Sequence, residues 1–239
     1  VDVSLLYSLL QAIPTGKRLI LVGDPDQLPP VGPGFPFGDM LRSGSLPTVR
    51  LTEIFRQAQK SLIVMNAHRV NQGEMPDLKC VSSDFFFMRR TSEEAVCALI
   101  RDLCATRLPQ KMGIPTDQIQ VLSPTRKGAV GTVNLNRLLQ AALNPQSPDK
   151  KERAYGDYQF REGDRVMQIR NNYDILWKKA DGSAVGAGIF NGDVGRIQTI
   201  DPASETLTVL FDDRLAEYDF TQLGELEPAY AMTVHKSQG

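Results

Sequence analysis

Apolar residues along this chain first alternate between helical and strand-like spacing, then turn strand-like alone. Leu5, Leu6, Leu9 and Leu10 recur at helical spacing until Pro14-Thr15-Gly16 breaks the pattern. Arg18-Leu19-Ile20-Leu21-Val22 follows, a short apolar run suited to a strand buried on both faces. Leu28-Pro29-Pro30-Val31-Gly32-Pro33-Gly34 must be a rigid loop, because proline lacks the ladder donor and glycine offers no side chain to pack. Residues 57–70 predict a helix with Ile63, Ala67 and Val70 on one side, and Phe85-Phe86-Phe87 predicts a buried strand. Thr91 with Glu94 forms a capping box for a further helix that buries Val96, Leu99, Ile100 and Leu103. Ile119-Gln120-Val121-Leu122 is another strand candidate, ahead of a helix carrying Leu135, Leu138, Leu139 and Ala142.

Beyond Asn144-Pro145-Gln146-Ser147-Pro148 the texture changes. Val166-Met167-Gln168-Ile169, Gly195-Arg196-Ile197-Gln198-Thr199-Ile200 and Leu207-Thr208-Val209-Leu210-Phe211 read as short strands between Gly, Asp and Pro turns, which predicts a small antiparallel barrel. Tyr230-Ala231-Met232-Thr233-Val234-His235 resumes a buried-strand pattern, so the β-rich module reads as an insertion into an α/β domain.

A chain of 239 residues with 41% hydrophobic composition can bury one good-sized core or two small ones. The net charge of -1 lacks the global basic signature of many nucleic-acid binders, so composition alone does not point to DNA. Three cysteines (Cys80, Cys97, Cys104) without CxxC spacing and two histidines (His68, His235) argue against a zinc site and for reduced, structural thiols in a cytoplasmic protein. No apolar run approaches the roughly 18 to 20 residues of a membrane span, and no signal segment opens the chain. The opening residues Val1-Asp2-Val3-Ser4-Leu5-Leu6 read like the inside of a helix, which predicts a fragment.

Three clusters carry candidate chemistry. Gly23-Asp24-Pro25-Asp26-Gln27-Leu28 follows a buried-strand pattern, where α/β sheets place their ligand sites. The Asp24 carboxylate could join the water shell of a metal ion, and the Gln27 amide could donate to a terminal phosphate oxygen. A plain Pro-rich turn explains the same residues. Leu51-Thr52-Glu53-Ile54-Phe55-Arg56-Gln57 puts Arg56 at the junction of two α/β parts, where a guanidinium can fork onto a γ-phosphate or simply pair with a surface acid. Thr233-Val234-His235-Lys236-Ser237-Gln238-Gly239 crowds hydroxyls, an imidazole and an ammonium beyond a strand end, fit for phosphate or sugar contact or for a solvated strand terminus. Phe35, Phe37 and Trp177 could stack on bases, but packing is the plainer use of each.

Taken together and in this order, the clusters resemble the RecD/TraA branch of superfamily 1 DNA helicases, the 5′-to-3′ type. GDPDQLPPVGPG is similar to motif III, LTEIFRQ to motif IV and AYAMTVHKSQG to motif V; Ser123-Pro124-Thr125-Arg126-Lys127-Gly128, GDRVMQIRNNYD and Phe190-Asn191-Gly192-Asp193-Val194-Gly195 resemble further family segments. The resemblance implies an α/β fold of RecA-like helicase domains, the first only partial, with an inserted small SH3-like β barrel. Its boundaries would be 1–49 for the C-terminal part of the first domain (1A), 50–154 and 229–239 for the second (2A), and 155–228 for the inserted β domain (2B). It further implies that Gln27 senses a γ-phosphate with Asp24 in the metal and water shell, that Arg56 stabilises charge, and that Gly239 begins a turn toward the nucleotide. Thr233, His235 and Thr125 would touch single-stranded DNA, with Asn171, Asn172 and Tyr173 as further contacts near the base of the β module.

Three family features are missing: a GxxxxGK[ST] loop, the Asp-Glu pair of motif II and the arginine of motif VI. ATP and Mg²⁺ are therefore expected cofactors of the intact helicase, while this fragment alone should neither bind them tightly nor hydrolyse ATP. No resident metal is expected. The implied partners are single-stranded DNA, duplex junctions and recombination-nuclease subunits, and the implied work is repair or recombination. The alternative is a non-catalytic nucleic-acid-binding or auxiliary module of a recombination nuclease or conjugative relaxase.

Overall fold

The computed structural model describes residues 1–51, 60–79 and 84–238. The chain divides into two compact units, Val1–Arg89 and Arg90–Gly239. In the first, α1 (Val3–Ala12) starts where the Asp2 carboxylate accepts from Leu5 N at 2.8 Å, and the Val3 amide donates to Pro33 O at 3.0 Å, tying the helix to the Pro-Gly loop. Pro36, at the first turn of α2 (Pro36–Ser43), gives up no hydrogen bond there, since the first N–H groups of a helix have no intrahelical acceptor. Helix α3 (Leu62–Asn71) is capped by Ser61, and Asp84 accepts from the Leu62 amide at 2.8 Å.

Three expectations for this unit fail. Residues 18–22 and 85–87 join no ladder, and Val22, Phe86 and Phe87 are 94%, 48% and 53% exposed. A doubly buried strand needs neighbours on both edges, and the described residues of this unit contain no strand to supply them. In α3 the buried residue is Asn66, not the apolar face of Ile63, Ala67 and Val70. The Asn66 side chain imitates a peptide: Nδ2 donates to Asp77 O at 3.0 Å and Oδ1 accepts from Asp77 N at 2.7 Å, fixing the chain after the helix.

The second unit opens with α4 (Glu93–Asp102), capped by Ser92 accepting from Ala95 N, one residue later than the expected Thr91 box. Cys97 and Cys104 are its buried contacts, free thiols packed against α6, while Val96, Leu99, Ile100 and Leu103 are only half-buried. The helix widens into a π-turn over Leu103–Arg107 before α5 (Leu108–Met112), where Pro109 has no N–H for the regular ladder. Strand β1 (Val121–Ser123) leads into α6 (Thr132–Leu143), which buries Leu135 and Leu139.

A β-rich module follows. A hairpin of β2 (Glu152–Tyr155) and β3 (Tyr158–Arg161) precedes a seven-stranded antiparallel sheet in the order β10-β4-β7-β8-β9-β5-β6. These are β4 (Arg165–Gln168), β5 (Asn172–Lys179), β6 (Val185–Ile189), β7 (Val194–Asp201), β8 (Thr206–Phe211), β9 (Arg214–Asp219) and β10 (Leu226–Pro228). Strand β8 shows the expected alternation, with Leu207, Val209 and Phe211 turned into a core shared with Phe160, Ile175, Ile197 and Tyr218. Trp177 packs against this core, with the Arg214 guanidinium 6.0 Å from its ring, rather than standing free for a base. After β10 the chain returns as β11 (Ala231–Thr233), which pairs in parallel with β1 in the register Val121↔Ala231 through Ser123↔Thr233.

One buried carboxylate joins the helical and β-rich parts. Asp164, between β3 and β4, is 1% exposed and accepts from Gln140 Nε2 (2.5 Å), Asn144 Nδ2 (2.7 Å), Arg161 N (2.7 Å) and Tyr230 Oη (3.0 Å). Arg161 completes the joint by donating to Glu152 at 2.5 Å and to the Asn144 carbonyl. Burial pushes the Asp164 carboxyl above the usual range despite its four donors. A raised folded-state pKa means that the folded chain holds this proton more tightly than the unfolded one. The contribution of this group thus favours the fold at low pH and is lost as pH rises through the folded pKa. Asp164→Ala strands four buried donors, so urea unfolding should show a loss of about 3 kcal/mol or more at neutral pH.

Candidate nucleic-acid interface

Parallel strands of an α/β sheet present ligands at their C-terminal ends, because the chain leaves each strand there through a loop. Here Ser123 and Thr233 are register partners at the ends of β1 and β11, so Thr125, Thr233 and His235 emerge from one sheet edge. Thr125 and His235 are exposed and Thr233 is half-buried. The buried Ser123 hydroxyl organises the edge by donating to Val130 O at 2.8 Å and accepting from Thr125 N at 3.3 Å. The amides of Thr132 and Val133, at the start of α6, donate to Thr125 O (3.1 Å) and Arg126 O (3.2 Å), folding residues 125–131 into a tight turn. Gly131 allows that closure, since a Cβ there would lie 2.4 Å from the Lys127 carbonyl oxygen. On the other strand, Lys236 N donates to Thr233 Oγ1 at 3.3 Å, which leaves the hydroxyl proton available to an outside acceptor.

Charge gathers beside this edge. Arg126, Lys127 and Arg137 line a groove of about 450 Å³ with Asn134, Tyr158 and one acid, Asp157. Glu227 of β10 pairs with Arg126 at 2.8 Å and with Lys236 at 2.6 Å, and Arg126 also donates to Tyr158 Oη at 3.1 Å. The Glu227 charge is the main reason that the Arg126 guanidinium is held more firmly protonated than usual. Cations, hydroxyls and an imidazole on one surface can bind phosphate and sugar. The sequence marks the Lys236 ammonium as candidate phosphate chemistry and contains Arg126 within a family segment, but it does not single out Arg137 or Glu227; the basic pair Arg126-Lys127 directly after a strand end is the further signal it carries.

The remaining candidates lie elsewhere. Asn171 Oδ1 accepts from Asn191 N at 2.9 Å, and Asn172 Nδ2 donates to both Glu225 oxygens, at 3.2 and 3.0 Å. Tyr173 is 67% exposed and meets Phe190 edge-on with centroids 5.6 Å apart, leaving ring surface open to solvent. In the first unit, Asp24 and Gln27 share an exposed turn, with Gln27 Nε2 3.5 Å from Asp24 Oδ2 and Asp26 N donating to Asp24 Oδ1 at 2.9 Å. That turn presents a carboxylate and an amide, groups that can meet a metal-bound water and a phosphate oxygen. Arg56 and Gly239 lie outside the described residues. Among the described residues no helix is long and apolar enough to cross a membrane.

A family model described as the ATP-dependent RecD-like DNA helicase SH3 domain matches residues 135–211, and an AAA domain model matches residues 1–84. The chain is thus similar along its length to RecD-like helicases, with part of an AAA/RecA-like domain and an SH3-like β module. An ATP-dependent RecD2 DNA helicase of Deinococcus radiodurans is 35% identical over 243 residues, covering 99% of this chain and 29% of the relative. The RecBCD enzyme subunit RecD of Mycolicibacterium smegmatis is 25% identical over 250 residues, covering 100% of this chain and 41% of the relative. An uncharacterized protein of Methanocaldococcus jannaschii is 26% identical over 298 residues, covering 100% of this chain and 25% of that protein. The chain thus spans between a quarter and two-fifths of the length of these curated relatives.

Gly131→Ala should force the 125–130 turn off the start of α6. We expect a stability loss of about 1 to 3 kcal/mol by thermal unfolding, with amide shifts concentrated in residues 123–133.

Proposed function

We propose that the intact protein is an ATP-dependent DNA helicase that translocates 5′ to 3′ on single-stranded DNA in repair or recombination, and that this chain supplies part of its grip on the strand. The observation that carries the reading is the meeting of Thr125, Thr233 and His235 at one sheet edge beside a cationic groove, in a chain related along its length to RecD-type helicases. Thr233 and Thr125 would bind phosphate or sugar oxygens, His235 would bind along the backbone, and Arg126, Lys127 and Arg137 would hold the negative strand. Tyr173 offers a ring for stacking; Asn171 and Asn172 would act by holding the loop that presents it.

ATP with Mg²⁺ would supply the driving free energy. Gln27 and Asp24 would face its terminal phosphate and metal, Arg56 would neutralise phosphate charge, and Gly239 would begin the turn toward the nucleotide. The proposed division is 1–49, then 50–154 with 229–239, then 155–228 as the inserted module. The parallel pairing of β1 with β11 on either side of the β-rich segment supports it. Because one relative is described as a RecBCD subunit, the second reading is an auxiliary subunit of a recombination nuclease.

Thr233→Ala combined with His235→Ala should weaken binding to single-stranded DNA by about 1 to 2 kcal/mol, roughly tenfold, in fluorescence anisotropy. Gln27→Ala should remove most DNA-stimulated ATP turnover and leave that affinity unchanged. Unwinding by the intact protein is expected only from duplexes with a 5′ tail. A motor acting on 3′ tails overturns the polarity, and DNA binding without unwinding favours the auxiliary reading.

A further inference from the structure

A second basic site lies at the opposite end of the same strands. Arg165 of β4 and Arg196 of β7 are direct cross-strand partners, an arrangement that like charges make unfavourable unless something neutralises them. They line a cavity of about 210 Å³ together with Lys150, Thr116, Tyr230 and one acid, Asp117, where the chain enters β1 and β11 rather than where it leaves them. The groove near Thr125 flanks the first half of α6, whereas this cavity reaches Leu139 and Leu143 in its second half.

Arg165 and Lys150 are half-buried and held by neutral oxygens, Arg196 is exposed, and the carboxylate that shares the cavity with them is Asp117. Arg165 is anchored by donating to Ile119 O at 2.9 Å and Asp117 O at 3.3 Å, and the Lys150 ammonium donates to the Asn144 side-chain oxygen. Among the described residues none of Arg165, Arg196 and Lys150 forms a salt bridge; the exposed Asp117 is the one carboxylate acting on Arg165. Burial and the neighbouring Arg196 both lower the Arg165 pKa, and together they outweigh the opposing charge of Asp117. The cavity is smaller than the usual small-molecule site, so it suits one compact anion rather than a base or a whole nucleotide. Guanidinium groups match the paired oxygens of phosphate.

We propose that Arg165, Arg196 and Lys150 form a binding site for a phosphate-class oxyanion, supplied either as free phosphate or as one phosphodiester of a nucleic-acid strand passing the cavity mouth. Occupancy would neutralise the arginine pair and brace the nearby Asp164 joint. The site is independent of the helicase reading.

The test is calorimetric titration of the protein with inorganic phosphate against sodium chloride of matched ionic strength. Saturable phosphate binding is expected, with a matching rise in melting temperature that chloride does not reproduce. Arg196→Gln should weaken it at least about tenfold, since one charge-assisted contact is lost, and Arg196→Lys should restore part of it. Thr233→Ala should leave the Arg196-dependent part of phosphate binding unchanged, which separates this site from the strand-end surface. Displacement of phosphate by an oligothymidylate would identify the phosphodiester as the ligand, and the absence of displacement would identify free phosphate. A phosphate response no larger than that of chloride, or one equal in wild type and Arg196→Gln, overturns the proposal.

Discussion

The Asp164 carboxylate can be buried only because four donors from different parts of the second unit reach it together. Gln140 belongs to α6, Asn144 caps that helix, Arg161 ends β3, and Tyr230 precedes β11. A buried charge or acid without such partners costs several kcal/mol, so the donors and the acceptor hold one another in place. Two consequences follow. The β-rich module is fixed to α6, and Tyr230 sets the start of β11, which in turn sets where Thr233 and His235 leave the sheet.

From that joint the strand-end surface takes its shape. Strand β11 lies beside β1 in parallel, so two loops distant in sequence leave at the same edge. Glu227 then pairs with both Arg126 and Lys236, beside the groove that Arg126, Lys127 and Arg137 line. Such a surface needs no overall positive charge. With Lys+Arg 27 and Asp+Glu 28 the chain is nearly neutral, and it is the local arrangement that makes an anionic strand a fitting ligand.

Local pattern revealed the second unit well, because its strands carry their own alternation and its helices their own period. Leu207, Val209 and Phe211 alternate inward as their spacing implies, and Leu135 and Leu139 lie on the buried side of α6. The same logic misled for residues 18–22 and 85–87, whose apolar runs describe strands only if neighbouring strands exist to pair with them. The exact cap of α4 was also beyond pattern, since Thr91 and Ser92 are chemically equivalent until the backbone chooses between them. Asp164 was invisible in sequence, because an acid in a Gly-Asp turn looks like ordinary solvent-facing punctuation. Its partners lie between 3 and 66 positions away.

Hydrogen exchange of the protein with and without a single-stranded oligonucleotide is the most direct test of the proposed grip on a DNA strand. Residues 124–131 and 233–238 should gain protection together. Protection confined to the first unit, or absent from both strand-end loops while DNA is bound, would contradict the assignment of this sheet edge to DNA.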